Sequence, residues 1–89
     1  MPVDPSILAR ADALAGSGIE IPVESSWLAS VAYFVEHTVL QVTLRSGAVY
    51  HYLRVPSQTW LDLILADSPG GYLNRHIKGR FEHLLLRQA

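Results

Sequence analysis

The chain has 89 residues and no cysteine, and its 7 lysines and arginines nearly balance 8 aspartates and glutamates. That length makes one domain with a modest core and leaves no room for a second. The missing thiols exclude a disulfide framework and thiolate metal sites, and a near-neutral total gives no overall electrostatic pull toward nucleic acid.

In chain order, Met1-Pro2-Val3-Asp4 lacks the basic and apolar regions of a secretory leader. The apolar runs Leu63 to Ala66 and Leu84 to Leu86 are too short to cross a bilayer. These features predict a soluble, cytoplasmic protein. Asp4-Pro5 offers an N-cap with proline in the first helical turn, and Ile7, Leu8, Ala11, Leu14 and Ala15 recur at helical spacing until Gly16-Ser17-Gly18. Residues 1–18 therefore read as an N-terminal helical arm.

Ile19 to Val23 alternates, but Pro22 demotes it to an edge strand or an extended entry segment. Trp27 to Phe34 reads as a strand with Trp27, Ala29, Val31 and Tyr33 on one face and Leu28, Ser30, Ala32 and Phe34 on the other. Val35-Glu36-His37-Thr38 supplies a turn. In the returning strand Leu40, Val42 and Leu44 alternate against Gln41, Thr43 and Arg45. A third strand, Val49 to Val55, is entered from Ser46-Gly47 and stopped by Pro56.

Beyond Pro56, Ser57 reads as the cap of a helix whose stripe is Trp60, Leu61, Ile64 and Leu65. Asp67-Ser68-Pro69-Gly70-Gly71 breaks it. A second helix from about Tyr72 points Leu73 and Ile77 inward and Asn74, Arg75 and Lys78 outward, with Gly79 interrupting before Phe81. Residues 82–89 read as a short helical C-terminal extension. The expected fold is thus α+β: a three-stranded antiparallel meander, with the segment near 19–23 as a further edge strand, and two helices packed on one face. The main domain would run over residues 19–81.

The tyrosine pair poses a question of register, because Tyr50 and Tyr52 share one face of their strand. A two-residue loop at Ser46-Gly47 sets Leu44 opposite Val49 and puts the tyrosines on the polar face with Gln41 and Thr43. A three-residue loop, Arg45-Ser46-Gly47, sets Leu44 opposite Ala48, Val42 opposite Tyr50 and Leu40 opposite Tyr52, which buries them. Glycine in third place favours the longer loop.

Several segments together resemble the KTSC domain, a module at the C-terminus of some lysyl-tRNA synthetases that also stands alone in small bacterial and phage proteins. They are Val23-Glu24-Ser25-Ser26, Tyr33, Ser46-Gly47, Tyr50-His51-Tyr52, Val55-Pro56, Ala66-Asp67-Ser68, Gly70, Tyr72-Leu73-Asn74, Ile77 and Gly79. Pro69 and Gly71 depart from the more polar pattern usual beside Gly70. The attachment to a tRNA synthetase implies RNA as a partner.

Charge places the contact. Through residue 71 the chain carries Arg10, Arg45 and Arg54 against seven carboxylates, whereas Arg75, Lys78, Arg80 and Arg87 beyond it face only Glu82. The candidate phosphate site is the helix after Gly70 and Gly71, with Ser68, Asn74, Arg75, Lys78 and Arg80. A second candidate is a stacking platform of Tyr50 and Tyr52 with Arg54 next in line. No nucleophile motif and no metal-ligand spacing is present; His76 and His83 lack a third ligand. The expectation is a non-catalytic module without cofactor, binding structured RNA of tRNA or ribosomal type. The alternative is a protein-interaction or homo-oligomerisation module using the apolar N-terminal helix and the C-terminal leucines, and the 49% hydrophobic content hints at surface covered by a second subunit.

Overall fold

A computed structural model describes residues 15–89. The N-terminal helix expected from Asp4 onward falls outside the described residues. The architecture is a five-stranded antiparallel meander, ordered β1 (Ile21–Pro22), β2 (Leu28–Phe34), β3 (Val39–Leu44), β4 (Val49–Tyr52) and β5 (His83–Arg87). Between β4 and β5 lie α1 (Ser57–Leu65), α2 (Pro69–Tyr72) and a π-helical turn, Leu73–Ile77, that continues α2.

The α+β class, the central meander and the edge strand at Pro22 stand as expected. The strand count and the C-terminus do not: residues 83–87 form a strand paired with β4, not the expected helical extension. Leucine favours helix intrinsically, but Gly79 at φ 78° ends the preceding helix, and the open edge of β4 then offers a complete ladder. Long-range pairing overrides local propensity.

The helices cover one face of the sheet. Val31, Tyr33, Leu40, Val42 and Tyr52 pack from the strands against Val55, Trp60, Leu63, Leu73 and Ile77. At the centre Tyr33 stacks on Trp60, with ring centroids 5.6 Å apart and planes 11° from parallel, while its hydroxyl donates to the Val55 carbonyl at 2.5 Å. Burial raises the Tyr33 pKa above its usual value of 10.0. The other sheet face is more polar: His51 Nε2 bonds Gln41 Oε1 at 2.9 Å, and Gln41 Nε2 donates to Glu20 at 3.2 Å.

Three local expectations shift. A β-bulge between Leu28 and Ser30 breaks the alternation of β2, so Leu28 joins Val31 and Tyr33 in the core. Ser57 is the first helical residue and does not cap, because Pro56 holds the N-cap position in extended conformation. The buried stripe of α1 is centred on Trp60 and Leu63, with Leu61 and Ile64 at its margins and Leu65 left 75% exposed.

Candidate functional site

The loop between β3 and β4 decides the tyrosines. Gly47 takes φ 101°, its N–H donates to Leu44 O at 3.0 Å, and the Leu44 N–H donates to Ala48 O at 2.9 Å. This is the three-residue loop, and Val42 accordingly pairs with Tyr50 and Leu40 with Tyr52. Both tyrosines lie on the helix-covered face. Tyr52 is buried at 6% exposure and Tyr50 is half-buried at its margin. Burial, and then the neighbouring Tyr50, raise the Tyr52 pKa.

Arg54 leaves the platform expected of it. Strand β4 ends at Tyr52, and Arg54 adopts φ 56°, which turns its side chain into an ion pair with Glu82 at 2.7 Å. The pair is highly exposed on both sides, so it adds little stability.

The helix of the candidate phosphate site begins earlier than expected. Pro69 opens α2, and Gly70 and Gly71 lie inside its first turn instead of preceding it. Ser68 is the N-cap: its Oγ accepts from Gly71 N–H at 3.1 Å. Gly70 is buried, and a Cβ there would come 2.9 Å from both Ser25 Oγ and Trp27 Nε1. Ser68 and Gly70 thus shape and seat the helix, and the exposed positions beyond them are Asn74, Arg75, His76, Lys78 and Arg80.

The π-turn sets where the cations go. Lys78 N–H donates to Leu73 O at 2.8 Å, closing a wider turn that keeps both Leu73 and Ile77 fully buried. The chain then straightens at Lys78, ψ 124°, and reverses at Gly79. This carries Lys78 to a cleft that it lines with Tyr50 and Tyr52, whereas Ser68, Gly70, Asn74, Arg75, Arg80 and Arg54 do not line it. Trp27 and His83 also line it. His83 meets Tyr50 at 5.9 Å and Tyr52 at 5.7 Å, ring centre to ring centre. The sequence presents His83 only as a candidate metal ligand and Trp27 only as a strand residue, because both reach the cleft only through the bulged entry of β2 and the pairing of β5. His76 instead packs on Tyr72 at 4.6 Å.

Residues 24–81 match the family model of the KTSC domain. A protein of Tsukamurella paurometabola is 35% identical over 65 residues, which are 73% of this chain and 97% of the relative. A lysine–tRNA ligase of Nostoc punctiforme is 36% identical over 59 residues, 66% of this chain but 10% of the ligase. Among solved structures, a KTSC domain protein from Yersinia pestis matches with a TM-score of 0.72 at 30% identity, over 76% of this chain and 96% of its own. No helix among the described residues is long and apolar enough to cross a membrane.

Proposed function

This chain belongs to the KTSC domain family, and from that premise we propose that it is a non-catalytic module binding structured RNA, of tRNA or ribosomal type, through the cations around its π-turn. One observation carries the reading. Arg75, Lys78 and Arg80 are all exposed, and among the described residues the only ion pair is Arg54 with Glu82, so none of the three is neutralised by a carboxylate. Unpaired cations close in sequence, Arg75 on the π-turn and Lys78 and Arg80 just beyond it, are suited to phosphate, because each contact releases condensed counterions. Asn74, exposed beside them, adds a neutral donor. Relatedness to part of a lysine–tRNA ligase makes tRNA the natural first probe.

The experiment is fluorescence anisotropy of a labelled bulk tRNA pool titrated with the full chain at low salt, wild type beside Arg75→Ala/Lys78→Ala. Binding that the double variant weakens supports the reading. Absence of binding by the wild type at low salt ends it.

A second reading, self-association, is favoured by β5. It is one of the two edge strands of the sheet, and Leu84, Leu85 and Leu86 on it are 52%, 48% and 53% exposed. A free ladder edge lined with leucines invites strand addition.

A further inference from the structure

The cleft at the end of the π-turn has a construction that its structural role leaves unexplained. Its floor is apolar and uncharged, formed by the buried Val42, Tyr52 and Leu73. Its walls are the half-buried Trp27 and Tyr50, and exposed Lys78 stands at the rim. The volume is about 210 Å³. That falls below the roughly 300–1,000 Å³ of pockets enclosing drug-sized ligands, and suits one flat ring system with the rest of a ligand outside.

The aromatic groups here meet edge-on or tilted, not face to face. In the core, Tyr33 and Trp60 stack nearly parallel and complete each other. At the cleft, His83 meets Tyr50 at 62° and Tyr52 at 44°, so it covers neither tyrosine as a stacked partner. Gly79 keeps the mouth open, with nothing within 4 Å of the position a side chain would take. An aromatic wall beside an unpaired cation is complementary to a flat ring linked to an anion.

We infer that this cleft receives a single unstacked nucleobase, with Lys78 on the adjoining phosphate; the inference rests on the RNA reading above and adds to it a preference for unpaired nucleotides. Arg75 and Arg80 then track the neighbouring phosphates without regard to sequence. Splayed bases from loops and ends, stacked on aromatic side chains, are how proteins engage single-stranded RNA segments.

The test uses the full chain and two labelled oligoribonucleotides of equal length at low salt, one single-stranded with all its bases and one abasic throughout. The base-bearing strand should bind about fivefold tighter or more, the low end of what one base–aromatic stack contributes. Tyr50→Leu should remove that advantage. Amide shifts at Lys78, Gly79 and His83 on titration with the base-bearing strand alone give a second readout that needs no variant. Equal affinity for the two strands overturns the pocket and leaves the phosphate reading intact. Binding of neither strand, with no binding of tRNA, overturns both.

Discussion

Val42 stands directly opposite Tyr50 across β3 and β4, and that pairing carries the tyrosine pair to the face that the helices cover. It depends on the conformation of Gly47, whose φ of 101° is costly for any residue with a Cβ, although nothing lies within 4 Å of the position that Cβ would take. Gly47→Ala should therefore cost only backbone strain, about 1–2 kcal/mol. Gly70→Ala has the opposite problem, an ordinary backbone and no space, with Ser25 Oγ and Trp27 Nε1 each 2.9 Å away. Urea denaturation should show both variants destabilised, but only Gly70→Ala should also weaken RNA binding, because it displaces the cleft wall at Trp27.

The core aromatic pair should respond unevenly to substitution. The Trp60 Nε1–H is buried and finds no acceptor among the described residues. Trp60→Phe removes that orphan donor, whose burial costs about 1–3 kcal/mol, and this offsets much of the smaller ring's lost packing. Trp60→Ala has no such relief and should cost about 3–5 kcal/mol. Tyr33→Phe gives up the hydrogen bond to Val55 and should cost about 1 kcal/mol. A loss for Trp60→Phe as large as for Trp60→Ala would contradict the argument.

Stability should fall at both ends of the pH scale for identifiable reasons. Burial lowers the His51 pKa from 6.5, so the unfolded chain takes up the proton first and stability is lost as pH drops below 6.5 through the lower folded value. The groups facing the ring are Gln41, which links it to Glu20, and Phe34. At the alkaline end Tyr33, Tyr52 and Tyr72 are all raised above 10.0, chiefly by burial, and Tyr72 also by Asp62. Their contribution is complete below pH 10 and lost as pH rises through the folded values. Thermal midpoints against pH should show both declines, and His51→Gln should flatten the acid one.

Self-association through β5 makes a separate prediction. If the free edge pairs with a second copy, light scattering of the full chain should give a dimer mass that hardly depends on salt, and Leu85→Lys should return it to monomer. A wild-type monomer at high protein concentration would remove that reading.

Most of the sheet was legible because its signals are local and agree. Alternation fixed the faces of β3, and a glycine in the third loop position fixed the partners of Tyr50 and Tyr52. What the sequence hid was decided at a distance. Leu84-Leu85-Leu86 shows neither helical nor strand period, and only the open edge of β4 makes it a strand. A short apolar run bounded by a glycine turn was the one available hint. Trp27 and His83 were invisible as cleft residues for the same reason. The cations themselves were plain in the sequence, since charge concentrated beyond residue 71 needs no fold to be seen. That Lys78 would line the same cleft as the tyrosines required the π-turn.

The most direct test of the central claim is the salt dependence of tRNA affinity for wild type and for Arg75→Ala/Lys78→Ala/Arg80→Ala. The logarithm of the binding constant should fall linearly with the logarithm of salt concentration, and the triple variant should lose about 0.7 to 0.9 of slope for each cation removed. An affinity and slope that the three substitutions leave unchanged would contradict the account.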